Sequence, residues 1–156
     1  TFVYPNAAPQ ASVFNQSKDL WLGVEDHVLR FADTTDLRVS VFTAPVLEAA
    51  DPLYRNVQIP RRFWKVAVWL ESSPEGGPAL GAAGFVLDQS QLIRLDDTAL
   101  PVARLGSFRT FQAPIGDIGS IAGIDFGHLV AADVIQDTAV RSHQWIELTG
   151  SHDIRL

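Results

Sequence analysis

N-Q-S-K-D-L-W-L-G-V-E-D-H-V-L-R, running from Asn15 to Arg30, is the stretch on which the reading of the whole chain turns. Leu20, Trp21, Val24, Val28 and Phe31 recur at helical spacing and form one apolar stripe, with Lys18, Asp19, Glu25, Asp26 and Arg30 mostly outside it. The pattern predicts an amphipathic helix, capped by Asn15 or Ser17 and ended by the polar run D-T-T-D at Asp33 to Asp36. If both residues are helical, Asn15 and Glu25 lie roughly 80° apart around the axis and about 15 Å apart along it. A carboxamide oxygen and a carboxylate displayed this way can serve one hydrated cation, the first directly and the second through water. Each also has a plainer reading. An Asn at a helix start is usually a cap, and a Glu in mid-helix usually lies on a solvated face.

Working outward, Phe2, Val3 and Tyr4 have strand propensity while Pro5 and Pro9 exclude a helix, so an extended arm and a loop precede the helix. After it, Leu37, Val39 and Val41 alternate with Arg38 and Ser40, which predicts a strand with one face in the core, closed by Pro45. Leu47 to Pro60 reads as a loop with one helical turn at most. Phe63 to Leu70 is apolar at nearly every position except Lys65, as expected of a central strand covered on both faces. The turn S-S-P-E-G-G-P at Ser72 to Pro78 joins it to a second apolar run, Leu80 to Leu87, as a β-hairpin. Gly81 to Gly84 marks a place where another element packs closely, and the central helix is the element expected there.

Asp88 to Gly106 reads as loop with a short strand, and Phe108 to Gln112 as an edge or near-edge strand. Ile115, Ile118 and Ile121 predict a short helix ended by Gly123, and Trp145 to Leu148 a last strand. The order of elements predicts a single α+β domain over residues 1–156, built on an antiparallel sheet with the central helix on one face.

Composition bounds what such a domain can do. The 156 residues are enough to bury a sizeable core, and 47% hydrophobic residues argue against disorder. No Cys is present, which excludes thiolate chemistry and leaves the redox compartment open, secretion or a periplasmic site included. Without an initiator Met, the chain is expected to be a processed or excerpted piece. No apolar run is long enough to span a bilayer as a helix, so no membrane association is expected. Phosphate-loop, nucleophile-elbow and zinc-protease motifs are absent, and Asp96-Asp97 would point to opposite faces of any strand.

A net charge of −6 argues mildly against tight nucleic-acid binding, which usually draws on a basic patch. The one dense basic cluster is Arg61, Arg62 and Lys65, with Arg55 just upstream. Charged residues also guard exposed sheet edges, the favoured reading for Arg61 and Arg62, with a substrate-phosphate contact as the competing one.

The ordered strings N-A-A-P-Q at Asn6 to Gln10, F-N-Q at Phe14 to Gln16 and W-L-G-V-E-D at Trp21 to Asp26 resemble the DNA/RNA non-specific endonucleases, also called ββα-metal or His-Me finger nucleases. The likeness continues through V-S-V-F-T-A-P-V at Val39 to Val46, V-Q-I-P-R-R-F-W-K-V at Val57 to Val66, F-R-T-F-Q-A-P-I at Phe108 to Ile115 and I-A-G-I-D-F at Ile121 to Phe126. It implies that Asn15 is the direct protein ligand of a catalytic Mg²⁺ and that Glu25 holds one of the waters around it. The implied activity is metal-assisted hydrolysis of phosphodiester bonds in DNA and RNA, with Arg61 and Arg62 as candidate substrate contacts.

The sequence departs from the family at two points. The family's general base is the His of a D-R-G-H string upstream of N-x-x-P-Q. No such string occurs here, so the base is expected outside this chain, and these residues alone should be nearly inactive. His27, His128, His143 and His152 read as ordinary polar or half-buried residues. The spacing from Asn15 to Trp21 is longer than in the family pattern. An inactive nuclease-like module that binds nucleic acid or a partner is the alternative, a purely structural domain is a third reading, and an uncovered sheet edge makes a homodimer one further expectation.

Overall fold

The computed structural model describes residues 8, 21–54, 56–73, 75–93, 108–135 and 145–156, and the account below concerns these residues. Asn15, the capped helix start, the arm at Phe2 to Tyr4, Arg55, His143 and the region 94–107 with Asp96 and Asp97 lie outside them.

Helix α1 is formed over Trp21–Thr35. Val24 and Val28 of its apolar stripe are buried against the sheet, each contributing about 1.5–3 kcal/mol by leaving water. The D-T-T-D run ends this helix as expected, at its last residue, with helix running through Thr35. The Thr34 hydroxyl donates back to the carbonyl of Arg30 at 2.8 Å, and that of Thr35 to the carbonyl of Phe31 at 2.5 Å, so local bonding supports the last turn. Asp36, at φ 55°, stops it, and Leu37 N–H closes onto the Ala32 carbonyl at 3.1 Å, a left-handed terminus that satisfies an end carbonyl.

Five antiparallel strands form the main sheet, in the order β1 (Val39–Val46), β4 (Arg62–Ser72), β5 (Pro78–Asp88), β6 (Arg109–Gln112), β7 (Ile146–Leu148). The hairpin of β4 and β5 is its centre, pairing from Arg62 with Asp88 to Ser72 with Pro78. Between β1 and β4, β2 (Leu53–Tyr54) and β3 (Val57–Gln58) make a separate two-stranded ribbon turned at Asn56, φ 63°. This ribbon lies within the segment read as a loop with one helical turn at most. The buried Asp51 carboxylate holds its base, accepting from the Glu48 N–H at 2.9 Å and the Arg61 N–H at 3.3 Å. Pro45 does not close β1, which runs on to Val46. A residue without an N–H is tolerated there because β1 is an edge strand.

Alternation along the strands divides the core into two layers. On one face Phe63, Ala67, Trp69, Ala83, Phe85, Leu87 and Leu148 pack under α1. On the other, Val46, Trp64, Val66, Ala82 and Val86 pack against Ile115 and Ile118 of α2 (Ile115–Ala122). The small residues of β5 serve both layers in a way that corrects the expectation for α1. A Cβ on Gly84 would lie 2.6 Å from the Ala113 carbonyl oxygen and 2.6 Å from Ile118 Cδ1, so α2 is the element that packs there. A Cβ on Gly81 would strike the Trp69 ring at 2.4 Å, and from α1 Phe31 meets that ring edge-to-face at 5.1 Å.

Beyond the end of β6, residues 132–134 bond to β5 through Ala82, whose N–H reaches the Ala132 carbonyl and whose carbonyl takes the Val134 N–H, both at 2.9 Å. This docking sets the buried Asp133 at the start of α2, where it accepts the Ile115 N–H at 2.7 Å. A carboxylate at a helix N-terminus meets unpaired N–H groups and the positive end of the dipole. Burial nevertheless raises the Asp133 pKa above its ordinary value, outweighing these hydrogen bonds. At the other margin, the Gln112 side chain exchanges two bonds with the Arg155 backbone, 2.8 and 3.0 Å, fixing the tail to the sheet.

Two outcomes follow. Replacing Gly84 with Ala should destabilise the fold by about 1–3 kcal/mol in urea denaturation, because the displaced neighbour includes backbone. Because the folded state of Asp133 holds its proton to higher pH than the unfolded state, its contribution is fully present below the unfolded value and is lost as pH rises through the raised one. The stability of the native protein relative to Asp133→Asn should therefore fall as pH climbs out of the ordinary carboxyl range. A difference that does not change with pH would refute this.

Candidate active site

Helical geometry places Glu25 one residue beyond the buried Val24, at the flank of the contact between α1 and the sheet rather than within it. Its side chain is 47% exposed. Facing it from below is Lys65, which alternation puts on the same side of β4 as Phe63 and Ala67, between Thr43 of β1 and Phe85 of β5. Lys65 Nζ donates to Glu25 Oε1 at 2.6 Å, joining strand to helix across forty positions of sequence, and the lysine side chain is only 2% exposed. Burial lowers the Lys65 pKa from its ordinary value, with the Glu25 carboxylate partly opposing the shift. Glu25 Oε2 makes no hydrogen bond among the described residues.

Beside the pair opens a cleft of about 290 Å³ between α1 and the edge strand β1, lined by Glu25, Lys65 and apolar side chains that include Val28, Leu29 and Val41. Val39 and Val41 belong to the helix-side face of β1, as the alternation predicts, but this cleft leaves Val41 46% exposed. Phe42 on the opposite side is also exposed, at 53%.

The two arginines are placed differently. Arg62 lies on the face of β4 opposite Lys65, where its guanidinium pairs with Glu48 at 2.7 Å. Arg61 precedes the strand and is tied through its backbone, its N–H to Asp51 and its carbonyl to the Gln89 N–H at 2.8 Å. The structure thus brings Glu25 and Lys65 together and directs Arg62 away from them. Asn15 lies outside the described residues. Among the histidines, His27 is half-buried on α1, its pKa lowered by burial and by Arg30, while His128 and His152 are exposed in single 3-10 turns.

A divalent cation is the group the sequence implies here. Among the described residues no three His, Cys, Asp or Glu side chains converge as a metal cage. Of the arrangement that the resemblance implies, a direct amide ligand and a carboxylate that orders water, only Glu25 lies among the described residues. Its half-exposed side chain keeps one carboxylate oxygen without a partner among the described residues. The Lys65 contact is what the sequence reading missed. Its signal was a lone charge within F-W-K-V-A-V-W, an apolar run too regular to leave a lysine in solvent.

A family model described as DNA/RNA non-specific endonuclease matches residues 1–133. The uncharacterized protein y4fB of Sinorhizobium fredii (strain NBRC 101917 / NGR234) is 32% identical over 140 residues, which is 90% of this chain and 18% of that protein. The chain thus spans less than a fifth of that relative's length. No solved structure matches it. With a family match running from the first residue through β6 and α2 to Asp133, the chain belongs to the DNA/RNA non-specific endonuclease family.

Proposed function

We propose that the protein carrying this chain is a metal-dependent, sugar-non-specific endonuclease that hydrolyses phosphodiester bonds of DNA and RNA, with Mg²⁺ or another divalent cation as cofactor. The observation that carries the reading is Glu25, a half-exposed side chain displayed from α1 beside a cleft, with one carboxylate oxygen held by Lys65 and the other without a partner among the described residues. The family match supports a nuclease, and the order of its motifs supports Asn15 as the residue whose side-chain oxygen binds the cation.

When bound, the cation would supply positive charge at a non-bridging phosphate oxygen and at the departing 3′ oxygen, stabilising charge that develops in the transition state. Asn15 would fix its position. Glu25 would accept hydrogen bonds from waters of its hydration shell and hold them in register with the phosphate. A His outside these residues would take the proton of the attacking water. Since Arg62 is committed to Glu48, Arg61 is the arginine of the two assigned to a neighbouring phosphate. Contacts confined to phosphate and hydration shell carry little base or sugar information, which accords with cleavage of both nucleic acids.

Plasmid nicking and RNA cleavage by the full-length protein in Mg²⁺ provide the test. Cleavage should stop with a chelator and return with Mg²⁺. Replacing Asn15 with Ala should cut the rate on the order of 10²–10³-fold, as for loss of a group that stabilises transition-state charge. Glu25→Gln should cut it about 10–100-fold, as for an outer-shell partner. Parental rates in both variants would sink the metal assignment. No cleavage by the parent would favour a nuclease-like module that binds nucleic acid or a partner without cutting.

A further inference from the structure

We infer that Lys65 is the positioning residue of the site, a buried cation that holds the Glu25 side chain in one conformation and leaves its second carboxylate oxygen facing outward. This deepens the proposed nuclease reading and rests on it.

Burying an ammonium group is expensive, and a pair of this kind is often no more stable than a well-packed apolar substitute. Met would follow much of the same path through the layer of Phe63, Ala67 and Phe85, so packing alone does not explain a lysine here. Nor does direct contact with substrate. At 2% exposure the ammonium is closed off from a nucleic-acid backbone, so whatever Lys65 does it does through what it touches inside the fold.

It touches Glu25 at 2.6 Å. Glu25 is nearly half exposed and has three side-chain torsions that solvent would leave free. Lys65, by contrast, projects from a strand paired on both sides, from Thr43 and from Phe85, so its own origin is fixed by the sheet. A rigid donor beneath a mobile acceptor selects one acceptor conformation. Outer-shell partners of this sort orient the groups that meet a metal's ligands and waters.

The test uses the full-length protein with Lys65→Met, Glu25→Gln and the double variant. Lys65→Met should keep or raise the melting temperature, since a buried charge is removed and Glu25 can turn to solvent. It should lower kcat about 10–100-fold with KM for an oligonucleotide little changed. In the Glu25→Gln background Lys65→Met should cost nothing further, because the proposed role runs through Glu25. In the metal-free protein, NMR couplings about the Glu25 torsions should report one rotamer in the parent and averaging in Lys65→Met.

Parental kcat in Lys65→Met beside a weakened Glu25→Gln overturns the positioning role and leaves the nuclease reading standing. Equal losses in both backgrounds also overturn it. An unimpaired Glu25→Gln instead refutes the metal role of Glu25. If the parent does not cleave, the rotamer measurement decides alone, and unchanged couplings overturn the proposal. Should Lys65→Met fail to fold, Lys65→Gln, one bond too short to keep the contact, meets the same criteria.

Discussion

Burial of the β4–β5 hairpin on both faces is the constraint from which the rest of the structure follows. Two long strands that are apolar at successive positions cannot leave either side to water, so each face must recruit a cover. On one side that cover is α1, set down through Val24 and Val28; on the other it is α2, drawn so close that only a glycine fits at position 84. Strands β6 and β7 and the tail complete the first layer with Leu148, Ile154 and Leu156. The site on α1 therefore depends on residues far from it in sequence, because the sheet determines where the helix can rest.

The same constraint gives Lys65 its meaning. A strand covered on both faces has no solvated side on which to place a charge, and β4 carries one at its middle. The fold accommodates it by setting Glu25 directly within reach and by letting that carboxylate, rather than the ammonium, face solvent. Local consistency is given up at one position, and such positions tend to be functional. By comparison, the bidentate pair of Arg109 with Glu147, 2.8 and 2.6 Å, lies in the open on the outer face of β6 and β7 and contributes little beyond holding two edges together.

Where periodicity speaks directly, the sequence was legible. The stripe of α1, the hairpin around S-S-P-E-G-G-P, the near-edge place of β6 and the stop of α2 at Gly123, φ 67°, follow from spacing and turn chemistry that act within a few residues. What escaped depends on partners distant in the chain. Nothing near Pro45 tells that β1 is an edge strand able to accept a proline, and nothing near Gly84 says which helix will lie on it. Thr34 and Thr35 belong to the last turn of α1, where their hydroxyls bond back to the preceding turn. In the candidate site, Glu25 could be named from its motif, whereas Lys65 was visible only as one member of a basic cluster. Its separation from Arg62 is a matter of parity, since residues 62 and 65 point to opposite faces of one strand.

Charge bears on how such a domain would hold a nucleic acid. The chain carries −6 overall, and Arg62, Lys65 and Arg109 are each engaged with a carboxylate of the same domain. The net charge disfavours attraction to phosphate through a broad basic surface, with the steep salt dependence that counterion release brings. On the proposed reading the attraction is local instead. A divalent cation held at α1 would be the largest positive charge near the cleft, and Glu25, already balanced by Lys65, would shape its water without cancelling its field. An acidic surface then acts against indiscriminate adhesion, and binding and hydrolysis become tied to the same cation rather than to separate parts of the molecule.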